Sequence, residues 1–141
     1  MKGLPNLIRL HRWRLDEKRK NLAELERLAE ELRDQGRRIE EEMRAEQAAA
    51  GASTEAGFAY AAYARAVIAR RAKLAASLAD AKAKIAAAAV EVTESFQELK
   101  RLELAQEHRI TAERQRTARL DQAVLDELGI ALHRRNSENQ R

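Results

Sequence analysis

Residues 48–57 read AAAGASTEAG, and this stretch decides the fold. Gly51 can end one helix, and Ser53 or Thr54 can cap the next. Glu55 would then lie near the positive end of that second helix's dipole, where a negative charge is favourable. The stretch therefore predicts a turn between two helices.

The sequence on both sides of this turn almost lacks helix breakers. Pro5 is the only proline and suits a first helical turn, and no Gly or Pro occurs between Gly57 and Gly129. We predict a single all-α domain in which two long helices form an antiparallel coiled-coil hairpin, with the second helix longer than the first. The predicted boundaries are helix one at about 5–50, a turn at about 51–54, helix two at about 54–128 and a C-terminal tail at 129–141.

Apolar side chains recur at the spacing of three and four residues that is typical of coiled coils. Helix one carries them at Ile8, Leu15, Leu22, Leu25, Ala29, Leu32, Gly36, Ile39 and Met43. Helix two carries them at Tyr60, Tyr63, Val67, Leu74, Leu78, Ala81, Ile85, Val92, Phe96 and Leu99. We call these positions the seam; His11 and Lys18 fill two of its places in helix one, and Leu28 is expected to widen it.

A turn near Gly51 makes the helices antiparallel, which predicts pairs such as Leu32 with Leu74. The distribution of charge agrees with this direction. Acidic residues dominate 24–46, whose predicted partners at 65–84 are basic, and the basic segment 2–20 would meet the glutamates of 91–103. Flanking charges of this kind can select orientation, although ordinary solvated helix faces are the alternative explanation.

Helix two should extend about 25 residues beyond its pairing with helix one, or roughly 40 Å at 1.5 Å per residue. Its sparse apolar positions are Ile110, Leu120, Val124, Leu128 and Ile130. A single helix with so few of them is marginal in water, so these side chains are better suited to docking another chain.

Composition argues against most other classes of protein. Charged residues make up 35% and aromatic residues 4%, which leaves no large mixed core; regular Leu, Ile and Val spacing argues against disorder. No apolar run approaches a membrane span, and no secretory signal is present, so we expect a soluble protein; the absence of cysteine is compatible with the cytoplasm. No nucleotide-binding motif occurs, there is no cysteine, and His11, His108 and His133 lie far apart. We therefore expect no enzyme activity, no cofactor and no metal site.

The net charge of +4 and the pI of about 9.7 raise the possibility of nucleic acid as a partner. Basic and acidic blocks alternate, however, and no aromatic residues are interleaved with a basic stripe for base stacking. Trp13, within LIRLHRWRLDEKR, is either part of amphipathic packing or an anchor for a partner protein. Tyr60 and Tyr63 either fill the seam near the turn or form an aromatic docking patch.

The chain resembles the flagellar export protein FliJ family, which is related to the type III secretion stalk protein YscO. The resemblance is carried by LPNLIRLHRWRLDEKRKNLAELERL, by the Ala-rich turn and by FQELKRLELAQEHRITAERQRTARLDQAVLDEL. It implies a cytoplasmic coiled coil, similar to the rotor stalk of the F-type ATP synthase, located at the inner face of the cell membrane through its partners.

The resemblance also implies partners and sites. The open end of the hairpin would insert into the ring of the export ATPase FliI through Arg9, His11, Arg12, Trp13, Arg14, Arg114, Arg116, Arg119 and Leu120. A face near the turn would contact the export-gate protein FlhA through Met43, Tyr60, Tyr63 and Val67. Escort of empty export chaperones is implied as well. Two alternatives stay open, namely a structural coiled coil that homodimerises and a basic coiled coil associated with nucleic acid.

Overall fold

A computed structural model describes residues 3–140, which form two helices. Helix α1 spans Gly3–Ala50 and helix α2 spans Thr54–Asn139, and no strand occurs within the described range. The helices pack against each other, so the predicted all-α hairpin with a longer second helix is confirmed. The predicted start of α2 at Thr54 is also confirmed.

The turn is built as the sequence suggests, with Ser53 as the cap. The Ala56 amide donates to Ser53 Oγ at 3.0 Å, which satisfies one of the free N–H groups at the start of α2. The Ala52 amide donates to the Ala49 carbonyl at 3.2 Å and closes the end of α1. No described glycine has a positive φ, so Gly51 ends α1 without the left-handed cap that glycine often provides.

The predicted C-terminal tail at 129–141 was wrong for the described residues, because α2 continues to Asn139. Gly129 lies inside the helix. A glycine costs only about 1 kcal/mol there, and the good helix formers around it, such as Leu128, Ala131 and Leu132, outweigh that cost. Arg141 lies outside the described residues.

The chain divides into two compact units, which we describe separately. The hairpin unit comprises His11–Gln97. The terminal unit comprises the first ten residues together with those from Glu98 onward, of which 3–10 and 98–140 are described. The prediction of one domain across both units stays a prediction.

The core of the hairpin unit is a thin line of small and branched side chains. Its buried residues are Leu15, Ala29, Ile39, Val67, Ala81 and Ala88. The remaining seam positions of α1 and α2 in this unit are half-buried, with one exception. Burial in a two-helix unit is limited to the line of contact, so even seam residues retain some exposure.

One predicted seam position, Phe96, and the residue expected to widen the seam, Leu28, are exposed. Leu28 is 44% exposed, because Leu25, Ala29 and Leu32 occupy the contact line and Leu28 lies to one side of it. Phe96 is 42% exposed, and Ser95 is half-buried in its place, three residues after Val92. Ala88 was missed because one alanine among many gives no signal of its own.

Cross-helix ion pairs in the hairpin unit confirm the antiparallel direction. Lys18 pairs with Glu91 at 3.0 Å, Glu40 with Arg71 at 2.5 Å and Glu42 with Arg70 at 3.7 Å. Each pair joins two blocks of opposite charge that the sequence places together. These side chains are substantially exposed, so each pair contributes at most about 1 kcal/mol, and their main effect is on orientation.

The terminal unit pairs the start of α1 with the middle of α2. Ile8 and Leu99 are buried, and Leu4, Leu102 and Gln106 are half-buried. A groove beside them is lined by Leu4, Pro5, Gln106, Arg109, Ile110 and Glu113. Every residue from 107 to 140 is exposed.

Candidate functional site

The basic segment at the start of α1 presents an exposed tryptophan. Trp13 retains 60% of its accessible surface, and Arg12 and Arg14 are exposed beside it in the hairpin unit. His11 is half-buried at its predicted place in the seam. Because packing covers only a minority of the indole, the exposure favours the interpretation of Trp13 as an anchor for a partner.

The other predicted ATPase-binding residues lie in the terminal unit. Arg9 is exposed on α1, and Arg114, Arg116 and Arg119 are exposed on α2. Arg116 pairs with Glu113 at 2.7 Å, and Arg119 Nε donates to the carbonyl of Gln115 at 3.4 Å. These contacts are local to one helix, so they leave the guanidinium groups accessible to another molecule.

We call residues 107–139 of α2 the terminal segment. Besides its arginines it carries large exposed apolar side chains, which are Ile110, Leu120, Val124, Leu125, Leu128, Ile130 and Leu132. Single exposed apolar residues are ordinary on protein surfaces, but this is a series along one helix. Leu125 and Leu132 had not been predicted as docking positions, although their spacing of seven residues could have revealed them.

Near the turn, two tyrosines and a methionine form a half-buried surface, which we call the turn-proximal surface: Met43, Tyr60 and Tyr63. The two tyrosine rings are 6.4 Å apart and tilted by 40°. The Tyr63 hydroxyl donates to Glu42 Oε2 at 3.5 Å, and Arg71 Nη1 donates to Met43 Sδ at 3.8 Å. Tyr63 thus contacts α1 through Glu42, and both tyrosines keep part of their surface free.

Burial and two carboxylates act on Tyr63. Partial removal of the hydroxyl from water raises the pKa of Tyr63 above its ordinary value of 10.0, and the nearby charges of Glu42 and Glu46 raise it further. Arg70 acts in the opposite direction. The hydroxyl of Tyr63 is therefore a neutral hydrogen-bond donor over the physiological pH range.

Val67, one of the predicted gate-binding residues, is not part of the protein surface. Val67 is 0% exposed, because its branched side chain fills the contact line between the helices. Sequence reasoning instead missed Phe58, which is 75% exposed one turn into α2, and Ile68, which is also exposed. Both lie off the seam spacing, which is the signal that could have identified them.

Among residues 3–140, no group of three or more His, Asp or Glu side chains is placed to hold a metal ion. Within the same range, neither helix has a stretch that is both long and apolar enough to cross a membrane.

Comparison with known proteins gives one family. A family model described as flagellar FliJ protein matches residues 1–138. No curated protein and no solved structure gives a significant match. Since the family match covers almost the whole chain, this protein belongs to the flagellar FliJ family and is a flagellar export-related protein.

Proposed function

We propose that this protein is a stalk-like component of the flagellar type III export apparatus, which binds the ring of the export ATPase FliI and links it to the export-gate protein FlhA. Family membership supports a role in export. The observation that carries the finer proposal is the terminal segment, a long exposed helix that combines arginines with apolar side chains. The protein itself performs no chemistry in this proposal and uses no cofactor.

Contact with an ATPase ring requires a surface that meets successive subunits without locking to one of them. Distributed arginines suit this requirement, because each exposed ion pair is weak and is screened by salt. Arg114, Arg116 and Arg119 supply such contacts in the terminal unit, and Leu120 adds an apolar one. In the hairpin unit, Arg12, Trp13 and Arg14 supply a second set.

Contact with the export gate is assigned to the turn-proximal surface. Tyr60 and Tyr63 are amphipathic side chains with exposed area, and aromatic residues are enriched in protein interfaces. We add Phe58 to this proposed contact because a phenylalanine exposed to 75% presents a large apolar area to solvent. We leave Val67 out because its side chain is buried. The protein would then act at the cytoplasmic base of the flagellum, held near the membrane by its partners and also serving export chaperones.

The test is a binding titration with the purified export ATPase at low and moderate salt. Replacing Arg114, Arg116 and Arg119 together with Glu should weaken binding most clearly at low salt, while helical content by circular dichroism stays nearly unchanged. The matched control replaces Lys73, Lys82 and Lys84 with Glu, which makes the same change in net charge on the hairpin unit. Equal ATPase affinity of the two folded variants would refute the assignment of the terminal segment.

A further inference from the structure

An open groove of about 580 Å³ lies between the two helices of the hairpin unit, and its floor is apolar. Leu32 and Ile39 line it from α1, and Leu74 lines it from α2. Leu32 and Leu74 are only half-buried, so the packing of the two helices leaves part of their surface in water. Leu28 is 44% exposed and lies seven residues before Gln35, another lining residue, so the apolar surface continues along the same side of α1.

Two positive charges border this floor from opposite helices. Arg38 lines the groove from α1 and Lys73 lines it from α2, and both side chains are exposed. Neither has a hydrogen-bond or ion-pair partner within residues 3–140. The third cation of the groove, Arg70, differs because it pairs with Glu42 at 3.7 Å. The groove therefore presents an apolar floor with an uncompensated cation on each side.

The backbone of the two helices decides which shape of occupant fits. The N–H and C=O groups of α1 and α2 bond within their own helices, so the groove offers no backbone edge with which an extended segment could pair. A helix satisfies its own backbone and can lie along the groove with its side chains between those of α1 and α2. An amphipathic helix would bring apolar side chains to the floor and polar ones to the cations.

We propose that this groove binds an acidic amphipathic helix of a partner protein. Its apolar side chains contact Leu32 and Leu74, and its carboxylates pair with Arg38 and Lys73. Since the two cations belong to different helices, carboxylates are needed on both flanks of the apolar stripe. Each exposed ion pair is weak, so the charges select the partner while apolar burial supplies most of the affinity.

The proposal does not rest on the proposed function, because the groove shares no residue with the ATPase and gate contacts assigned above. The probe is a labelled synthetic helix of about 20 residues, a length at which helices form in isolation. It has leucines at a spacing of three and four and glutamates on both flanks, and a companion peptide has lysine in place of each glutamate. Fluorescence anisotropy with the full chain should show at least about ten-fold tighter binding of the glutamate peptide.

A pair of charge reversals tests the two cations directly. Arg38→Glu combined with Lys73→Glu should reverse the preference, so that the lysine peptide becomes the tighter ligand, while circular dichroism shows unchanged helical content. The matched control combines Arg44→Glu with Lys82→Glu, which reverses one exposed cation on each helix outside the groove. At physiological salt, where distant charges are screened, the control should keep the wild-type ratio of affinities within about two-fold.

Four results would overturn the proposal. Equal affinity of the wild-type chain for both peptides would show an apolar contact without charge recognition. An unchanged preference in the Arg38→Glu and Lys73→Glu variant would place the peptide elsewhere. Equal binding of a glutamate peptide with a central proline, which breaks a helix, would show an extended occupant.

The fourth result concerns a second copy of the chain. A wild-type dimer in sedimentation equilibrium that dissociates in the Arg38→Glu and Lys73→Glu variant would show that another copy fills the groove. None of these measurements contains the export ATPase or the export gate. A failure of this proposal is therefore distinguishable from a failure of the proposed function.

Discussion

Leu74 lies directly against Gly36 across the hairpin, and a Cβ on Gly36 would stand 3.5 Å from Leu74 Cδ2. This is an ordinary van der Waals distance, so the contact has room for a methyl group. Leu32, the partner predicted for Leu74, lies one turn before Gly36 on α1 and lines a groove together with Leu74. The residue-level pairs of the sequence analysis stay predictions, although the direction of pairing is confirmed.

We predict that Gly36→Ala stabilises the protein. Glycine inside a helix has greater freedom in the unfolded chain than alanine, and its replacement should raise the free energy of unfolding by about 1 kcal/mol. Urea denaturation followed by circular dichroism measures this change. Gly129→Ala is the control. It makes the same gain in helix propensity but adds no contact, because nothing lies within 4 Å of a Cβ at that position. A lower stability of Gly36→Ala than of wild type would show that the helices are packed more closely than the structure indicates.

We predict that Val67→Ala lowers the stability of the protein and that Phe58→Ala leaves it nearly unchanged. Val67→Ala removes buried methyl groups and should lower the free energy of unfolding by roughly 1–3 kcal/mol. Phe58→Ala removes a side chain that is mostly in water, so stability should change by no more than about 0.5 kcal/mol. If Phe58 contacts the export gate, only that variant should lose gate binding while remaining as stable as wild type. Thermal unfolding combined with a gate-binding titration separates the two effects.

We predict that Tyr63 titrates above pH 10. Its pKa is raised, chiefly by burial and then by Glu42, so the folded state holds the phenolic proton more tightly than the unfolded state. Stability from this group is complete below the unfolded pKa near 10 and is lost as the pH rises through the folded pKa. Absorbance titration of a Tyr60→Phe variant isolates Tyr63, since the chain has two tyrosines. Adding Glu42→Gln should lower the midpoint, and an unchanged midpoint would contradict the assigned carboxylate contribution.

We predict that Trp13 reports partner binding. It is the only tryptophan and is mostly exposed, so its fluorescence should resemble that of solvated indole and be readily quenched by iodide. Binding to the export ATPase should shift the emission to shorter wavelength and protect it from the quencher. Trp13→Ala should weaken binding while the melting temperature stays close to that of wild type. A large fall in melting temperature would instead assign Trp13 to packing within the protein.

The sequence by itself determined the hairpin, because its signals are local or periodic. Ser53 caps α2 through its own hydroxyl, and the spacing of Ile8, Leu15 and Ile39 specifies one side of α1 before any partner is known. The charge blocks indicate the antiparallel direction for the same reason. The sequence shows where acidic and basic residues cluster, and an antiparallel pair places clusters of opposite charge beside each other. Helical periodicity therefore decided the class of fold and most of the seam.

Only the tertiary structure decided which side chains each surface offers. Val67 and Phe58 are both apolar residues near the turn, yet Val67 is buried and Phe58 is exposed, because packing depends on where a side chain points relative to the other helix. The end of α2 was likewise misjudged from Gly129, since a single glycine sets a small local cost and the surrounding helix formers decide the outcome. Whether a seam position is covered depends on which side chains of the partner helix lie beside it, and that is decided only when α1 and α2 pack together.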